Sequence, residues 1–231
     1  MPPQPHAPVR PAALVFDVLD TLFPLGPLEW RFREAGIPRV LMPRWCDHLL
    51  RDAFALSLLG EARTFGDVAR GSLRDITGNQ IVPAAEDLII DGLTQLEPRR
   101  EAASALEAAR GAGVRTAVLG HGDGEEVRLL LERSGLPLES PPAGHGDAPG
   151  VWRPAREPYL AAARALGVPP SRLGLVTAHG WDAAGGRGAG LVTGWSAHLE
   201  GRFPSVFARP DVEGRDLAET VELLLALPEP A

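Results

Sequence analysis

The sequence of 231 residues lacks lysine altogether, and all 23 of its basic residues are arginine. This absence excludes Schiff-base chemistry on a lysine of the chain and a Walker-type phosphate-binding lysine. Cys46 is the single cysteine, so an intrachain disulfide is excluded and a reducing compartment is expected. The formal net charge of −7 provides no electrostatic footprint for nucleic acid or for an anionic membrane surface.

Long apolar runs are absent as well. No stretch approaches the ~18 apolar residues of a membrane span, and the N-terminal MPPQPHAPVRP lacks the apolar region of a signal peptide. We therefore expect a cytoplasmic protein in which residues 1–11 form a disordered or extended segment. Apolar residues make up 45% of the chain, which is enough for a sizeable core in one elaborated domain or in two small ones.

The stretch AALVFDVLDTL, residues 12–22, carries the strongest local pattern. Four apolar residues lead into Asp17, and Asp20 and Thr21 interrupt the run, which predicts a buried strand that ends on a carboxylate. Ligands of open α/β sheets bind beyond the carboxyl ends of the strands, where Asp17 would lie. A carboxylate presented there can act as a nucleophile. The alternative is an Asp that closes the strand and caps the next turn.

The remaining patterns divide the chain into two parts. Residues 26–96 carry few strand signals and are predicted to be mostly helical. From residue 99 onward, helical and strand patterns alternate, which indicates βαβ units and a parallel sheet. The first strand belongs with this second part, so the core is discontinuous in sequence. Helices are predicted near residues 27–36, 43–60, 65–77, 84–96, 99–112, 123–135, 156–167, 181–190 and 214–227, and further strands near residues 114–120, 173–177 and 191–196.

Three stretches carry a family resemblance. The pattern hhhhD-x-x-x-T-L at Asp17 closely resembles motif I of the haloacid dehalogenase (HAD) superfamily. The stretches WRPAREPY (152–159) and VTAHGWDAAG (176–185) resemble motifs III and IV of its 2-haloacid dehalogenase-like branch. In that family the Asp of motif I is a covalent nucleophile, which is the role that the resemblance implies for Asp17.

The resemblance also implies an architecture. A Rossmann-like α/β core is expected from residues 12–25 and 97–231, and a helical cap, residues 26–96, is expected to close over the active site. Dimerisation through the cap is common in this branch, so a homodimer is part of the expectation. The composition by itself does not establish one.

The leading hypothesis is a HAD-like hydrolase that attacks a small-molecule substrate with Asp17 and requires no metal. Thr21 is expected to hydrogen-bond the Asp17 carboxylate or the substrate, with a plain turn hydroxyl as the alternative. Arg153 occupies the position of the family's lysine and would keep Asp17 ionised. Asp182 matches the distal carboxylate of motif IV, and the alternative for it is an N-terminal helix cap.

Substrate binding is assigned to four further residues. Gly120 takes the place of the Ser or Thr of motif II, and His121 and Asp123 beside it offer polar groups; a glycine-rich turn that caps a helix explains this stretch as well. His179 falls on an asparagine position near the substrate. Tyr159 is the single tyrosine and matches one in the dehalogenase branch, with ring packing on an amphipathic helix as the alternative.

Two positions argue against a metal-dependent phosphatase, which is the weakest of three hypotheses. Leu19 replaces the second acid of the family's phosphatases, and Ala178 replaces another. A Mg²⁺ site usually needs more than one carboxylate. Asp17, the carbonyl of Leu19 and Asp182 could still hold a weakly bound Mg²⁺.

The residue after Trp45 bears on the substrate. The dehalogenase branch has an arginine there that holds the substrate carboxylate, and this chain has Cys46, which we interpret as a small core residue. Arg44 and Arg51 lie nearby, but helical spacing places them on different faces. A rival hypothesis, a non-catalytic binding protein on the same fold, is suggested by the departures at Leu19, Gly120, Ala178 and Cys46.

Two other features have structural interpretations. Asp20 stands where the family usually has glycine, and we expect it to form a turn. The run GGRGAG (185–190) does not follow a strand as a dinucleotide-binding loop would, and it indicates close helix packing instead.

Overall fold

Five parallel strands form one sheet within residues 7–121, 125–138 and 151–230, the part of the chain that this computed structural model describes. The strands are β1 (Ala13–Asp17), β2 (Arg115–Leu119), β3 (Leu173–Thr177), β4 (Val192–Ser196) and β5 (Val212–Gly214). They lie in the order β2-β1-β3-β4-β5, and every neighbouring pair is parallel. The predicted α/β class with a parallel, Rossmann-like sheet is thereby confirmed.

Strand β1 lies inside the sheet, between β2 and β3. All five of its residues are buried, as expected for an apolar run with both faces covered. Asp17 pairs with Leu119 at the end of β2, and Phe16 pairs with Val176 of β3. The Asp17 carboxylate therefore stands at the carboxyl edge of the sheet, where the loops that follow three strands converge.

Most of the helices were anticipated by the sequence patterns. Within the described residues, each helix and strand that was predicted begins and ends within three residues of its predicted bounds. Residues 122–124, where the sixth helix was predicted to begin, lie outside the described part. The helices are α1 (Leu28–Glu34), α2 (Leu41–Leu59), α3 (Phe65–Ile76), α4 (Pro83–Leu93), α5 (Ala102–Gly111), α6 (Glu125–Ser134), α7 (Arg156–Ala165), α8 (Gly180–Ala189) and α9 (Leu217–Leu225), with a short 3-10 helix at Pro170–Arg172.

Local signals explain why α2 and α3 form and pair. Helix α2 ends at Gly60, whose φ of +68° suits glycine, and α3 begins with a capping box between Thr64 and Asp67. Trp45 of α2 is buried, and its indole N–H donates to the carbonyl of Ala69 at 2.9 Å. This bond satisfies the polar end of a large apolar side chain and fixes the two helices against each other.

A buried carboxylate joins α4 to α3. The Glu86 side chain is 5% exposed and accepts hydrogen bonds from Arg74 at 2.7 Å and from Arg70 at 3.0 Å. Burial alone raises the pKa of the Glu86 carboxyl, but the two guanidinium groups outweigh burial and lower the pKa below its usual value. The segment between β1 and α5 thus has an ionic contact of its own.

Strand β5 was not predicted from the sequence. It has three residues, lies at the edge of the sheet and is only partly buried. The Asp211 carboxylate just before it accepts a hydrogen bond from the N–H of Thr193 at 2.8 Å and pairs with Arg187 at 2.7 Å. Because three residues show neither an apolar run nor a clear alternation, β5 depends on such tertiary contacts.

The N-terminal segment is attached to the C-terminal one. The N–H of Arg10 donates to the carbonyl of Pro228 at 2.8 Å, and Pro11 is buried. Residues 1–6 of the predicted lead-in lie outside the described part of the chain. Among the residues that are described, no helix combines the length and apolar content that a bilayer span requires.

The glycine run of α8 packs closely at two of its positions. A Cβ at Gly186 would lie 2.7 Å from Cδ2 of Leu175, and a Cβ at Gly185 would collide with the Tyr159 hydroxyl. A Cβ at Gly188 would have nothing within 4 Å. The close-packing interpretation is therefore confirmed for Gly185 and Gly186 and is wrong for Gly188.

We expect Gly186→Ala to lower the free energy of unfolding by about 1–3 kcal/mol, because the added methyl overpacks a filled core. Gly188→Ala, an exposed position in the same helix, is the matched control and is expected to raise the free energy of unfolding by about 0.5–1 kcal/mol. Urea unfolding followed by circular dichroism measures both. Equal effects of the two substitutions would contradict close packing at Gly186.

Candidate active site

The Asp17 carboxylate is held at both of its oxygens. The Thr21 hydroxyl donates to Oδ2 at 2.6 Å, and Nη2 of Arg153 donates to Oδ1 at 2.7 Å. Thr21 Oγ1 in turn accepts from the N–H of Ala178, in the loop after β3, at 2.9 Å. Because Thr21 both donates and accepts, it is not a plain turn hydroxyl, and the carboxylate has one fixed orientation.

Arg153 bridges two carboxylates through the two arms of its guanidinium. Nη2 contacts Asp17 as described, and Nη1 donates to Oδ2 of Asp182 at 2.6 Å. The arginine is 1% exposed, and its cis peptide bond leads into Pro154. Such forked contacts suit a planar guanidinium, which offers donors in a fixed geometry. The two carboxylates and one guanidinium leave one negative charge in excess.

Tyr159 stands behind Asp182, away from the cavity walls described below. Its ring is fully buried, and its hydroxyl donates to Oδ1 of Asp182 at 2.6 Å. The predicted tyrosine therefore supports Asp182, which itself holds Arg153. Asp182 is not the N-terminal cap of α8, which was the alternative interpretation. The N-cap position is His179, and the Asp182 side chain accepts hydrogen bonds from Arg153 and Tyr159.

Burial and ion pairing set the protonation of this group. Burial alone would lower the pKa of the Arg153 guanidinium, but Asp182 and Asp17 outweigh it and raise the pKa above its usual value. Burial raises the pKa of the Asp182 carboxyl, against the opposing effect of Arg153. Burial also raises the pKa of the Tyr159 hydroxyl well above its usual value. Arg153 therefore remains charged, and Tyr159 remains a hydrogen-bond donor.

His179 and His121 approach the same edge of the sheet. Nε2 of His179 donates to the carbonyl of Leu19 at 3.2 Å and lies 3.6 Å from Oδ2 of Asp17. The His179 ring stacks on Trp181, with 5.3 Å between the ring centroids, and the His121 ring stacks on Trp152, with 5.5 Å between centroids. Two imidazoles thus lie on aromatic surfaces beside the carboxylate. Asp123, predicted beside His121, lies outside the described residues.

Two small cavities adjoin Asp17. The larger has a volume of about 60 Å³ and the smaller about 20 Å³. Both are lined by Asp17, Leu19, Phe65, Leu93 and His121. The smaller is also lined by Val18, Gly120, Val127, Leu130 and Arg153, and the larger by Asp20, Leu25, Trp45, Cys46, Leu49, Leu50, His179 and Trp181.

The helices between β1 and α5 supply much of this wall. Phe65 is the first residue of α3 and Leu93 the last of α4, and both line the two cavities with Asp17. Cys46 of α2 lines the larger cavity. Burial raises the pKa of its thiol to about 12, so the group is a neutral thiol, in agreement with a small core residue. Arg44 and Arg51 line neither cavity.

Asp20 forms the turn that its position predicted. Its φ is +60°, a left-handed conformation that Asp adopts more readily than most residues. Its Oδ1 accepts from the N–H of Leu25 at 2.9 Å. Burial is the main cause that raises the pKa of the Asp20 carboxyl.

Two residues that support the site were missed by the sequence analysis. Nε2 of His198 donates to the carbonyl of Asp20 at 3.0 Å. The Glu200 carboxylate accepts from the N–H of Gly180 at 3.1 Å and from the indole of Trp195 at 3.2 Å, which fixes the start of α8. Their only signal in the sequence is position, since both follow β4 and therefore lie at the edge where ligands bind.

The two carboxylates do not fit the weak Mg²⁺ site that the sequence suggested. The Arg153 guanidinium contacts Asp17 and Asp182 at once and thus provides the positive charge between them. Within the described ranges, no group of three or more His, Cys, Asp or Glu side chains has the arrangement of a metal site. Mg²⁺ prefers several oxygen ligands in near-octahedral geometry, which this pair does not offer.

Comparisons with family models and with curated proteins agree with one another. A family model described as haloacid dehalogenase-like hydrolase matches residues 12–190. An (S)-2-haloacid dehalogenase 2 of Pseudomonas sp. (strain CBS-3) is 27% identical over 91% of this chain and 94% of that protein. An (S)-2-haloacid dehalogenase of Xanthobacter autotrophicus is 26% identical over 81% of this chain and 75% of that protein.

A solved structure has the same fold. The L-2-haloacid dehalogenase from Xanthobacter autotrophicus, with chloropropionic acid covalently bound, superposes with a TM-score of 0.82 and 20% sequence identity. The match covers 93% of this chain and 98% of that chain.

We expect Arg153→Met to lower the free energy of unfolding by about 3–5 kcal/mol near pH 8, because two buried carboxylates lose their counter-charge. Without the guanidinium, burial raises the pKa of Asp182 further above its unfolded value. A carboxyl whose pKa is higher in the folded protein than in the unfolded chain stabilises the folded state at low pH. This contribution is complete below the pKa of the unfolded chain and is lost as the pH rises through the pKa of the folded protein. The deficit relative to wild type should therefore be smaller near pH 5 than near pH 8.

Urea unfolding at the two pH values measures this difference. Arg156→Met is the matched control, because Arg156 is exposed and its replacement should cost less than about 0.5 kcal/mol at either pH. A deficit of Arg153→Met that does not change with pH would contradict the ion-pair account.

Proposed function

Because the chain belongs to the haloacid dehalogenase-like hydrolase family, we propose that it hydrolyses a carbon–halogen bond in a small organic substrate, with Asp17 as the nucleophile. The observation that carries the proposal is the Asp17 carboxylate on the wall of a cavity, oriented by Thr21 and Arg153. The names of the curated relatives, which are haloacid dehalogenases, support a halide as the leaving group.

In the first step, an Asp17 oxygen attacks the carbon that bears the halogen. The new carbon–oxygen bond forms as the carbon–halogen bond breaks, and its electron pair leaves with the halide. The product is an ester of the Asp17 side chain. A halide needs no proton to leave, so Leu19, which has no proton to give, is compatible with this step.

In the second step, water attacks the carbonyl carbon of the ester. We assign the water's proton to His179, because both oxygens of the fully buried Asp182 are already engaged by Arg153 and Tyr159. The bond from Nε2 of His179 to the Leu19 carbonyl leaves Nδ1 as the basic nitrogen. The ester bond between Cγ of Asp17 and the alkyl oxygen then breaks, and the alcohol takes the proton from His179. The second proton of the water remains on the Asp17 carboxyl, and its release to solvent restores the carboxylate.

Arg153 and Thr21 contribute to both steps. In the free enzyme they fix the attacking carboxylate, which reduces the orientational freedom lost at the transition state. During ester hydrolysis negative charge develops on the Asp17 oxygen that did not attack the substrate, and the donor that bonds this oxygen, Thr21 for Oδ2 or Arg153 for Oδ1, stabilises the charge. The Arg153 guanidinium supplies positive charge at this oxygen or beside it, so we propose a reaction without an essential metal.

We expect Asp17→Asn to lower halide release by at least about 10³-fold, because the nucleophile is removed. The assay follows halide and phosphate release from a panel of halogenated acids, halogenated amides and phosphate esters, with and without Mg²⁺ or chelator. Asp91→Asn, an exposed acid on α4, is the matched control and should retain wild-type turnover.

The same panel separates the rival hypotheses. Phosphate release that requires Mg²⁺ would identify a phosphatase and contradict the proposal. Wild-type protein that releases neither ion, and does not differ from Asp17→Asn, would instead support a non-catalytic binding protein. Mass spectrometry of acid-quenched wild type during turnover should find the substrate's alkyl group on the peptide that contains Asp17.

We expect His179→Asn to separate the two steps. Alkylation of Asp17 should persist, since His179 does not take part in it, and ester hydrolysis should slow by about 10²–10⁴-fold. Rapid-quench assays should therefore show a burst of about one halide per protein molecule, followed by slow turnover. A variant that gives neither burst nor turnover would show that His179 acts before the ester forms, contrary to the assignment.

A further inference from the structure

The positive charge around the cavities comes from a single arginine. The chain has no lysine, and all 23 arginines fall within the described residues. Arg153 is the one arginine that lines either cavity. The stretches outside the described part contain no lysine or arginine either.

This arginine is already neutralised by the protein. Its two arms contact Asp17 at 2.7 Å and Asp182 at 2.6 Å, so two carboxylates share one guanidinium. The group carries one excess negative charge before any substrate enters. Asp20 adds a third carboxyl group to the wall of the larger cavity. An anionic substrate would therefore meet net negative charge rather than a counter-ion.

The remainder of the larger cavity is mainly apolar. Its wall includes Leu19, Leu25, Leu49, Phe65 and Leu93, together with the thiol of Cys46. A carboxylate moved from water into such surroundings without a partner loses most of its hydration, which disfavours its binding. A neutral group of similar size loses far less, and its carbon skeleton gains from contact with the apolar wall.

We infer that the site takes uncharged halogenated substrates, such as amides or esters that carry a halogen on the adjacent carbon, and discriminates against the corresponding carboxylate anions. The inference rests on the proposed dehalogenation at Asp17 and names the substrate class of that site. It sets this chain apart from what the names of its curated relatives state about their substrates.

The first test compares two substrates that differ in charge but share a carbon skeleton and leaving group, 2-chloropropionamide and 2-chloropropionate. Each kcat/KM for chloride release is divided by the rate of the same compound with free acetate ion, which removes the difference in intrinsic reactivity. We expect the normalised value for the amide to exceed that for the acid by at least about tenfold. A normalised preference for the acid overturns the inference.

The two imidazoles on the wall require a control for pH. Among the described residues on the cavity walls, His121 and His179 are the remaining side chains that can acquire positive charge, and they line the larger cavity together with the Asp17 and Asp20 carboxyls. The comparison is therefore made near pH 6 and near pH 9, on either side of the usual histidine range. Preference for the amide at both values supports the inference, and reversal near pH 6 overturns it.

A variant pair tests the role of charge on the wall directly. Cys46→Arg adds a cation beside the larger cavity and should raise kcat/KM for the acid by at least about tenfold without a matching gain for the amide. Cys46→Met is the matched control, because it adds length without charge, and it should leave the ratio unchanged. An equal gain for the acid in both variants would overturn the electrostatic explanation.

The outcomes also separate this inference from the proposed function. Chloride release from the acid in preference to the amide overturns the substrate class and leaves dehalogenation intact. Release from neither compound, and from no other halogenated member of the panel, overturns both. If Cys46→Arg fails to fold, the wild-type comparison of amide and acid still decides the inference.

Discussion

The buried guanidinium of Arg153 is the interaction on which the candidate site depends. It joins Asp17 at the end of β1 to Asp182 in the first turn of α8, and neither carboxylate has another cation at hydrogen-bond distance in the described residues. Breaking a buried ion pair leaves charge without solvent or partner, which costs more than the pair itself contributes. The orientation of the Asp17 carboxylate, the charge at the cavity wall and the stability of the fold at this edge of the sheet therefore all depend on Arg153.

Because the chain has no lysine, the cation between Asp17 and Asp182 is a guanidinium and not an ammonium. An ammonium is a compact charge on a flexible stem, whereas the guanidinium is a rigid plane whose separate N–H groups can each bind one carboxylate. Arg153 uses that plane to contact Asp17 and Asp182 simultaneously, while Tyr159 fixes Asp182 from behind. A single planar side chain thus connects the two carboxylates with one N–H-bearing nitrogen for each.

The fold class and the meeting of several site residues could be predicted from the sequence, because the carboxyl ends of parallel strands lie at the same edge of a sheet. Asp17, Thr21 and Asp182 each follow or end an apolar strand pattern, so their convergence at one edge of the sheet follows from topology. The direction of the Tyr159 hydroxyl could not be predicted, since either face of an amphipathic helix was open to it. His198, Glu200 and β5 were missed because their contacts join positions far apart in the chain, which no local periodicity reveals.

The register of β1 against β3 fixes the direction of the Asp17 side chain. Phe16 pairs with Val176, so the loop that follows β3 reaches Thr21 through the N–H of Ala178. Successive side chains of a strand point to opposite faces, and a slip of one residue would turn Asp17 away from both Thr21 and Arg153. The buried apolar residues of β1 resist such a slip, because it would exchange the faces on which they pack. Alignment of the Asp17 carboxylate is thus maintained by buried apolar side chains within the strand itself.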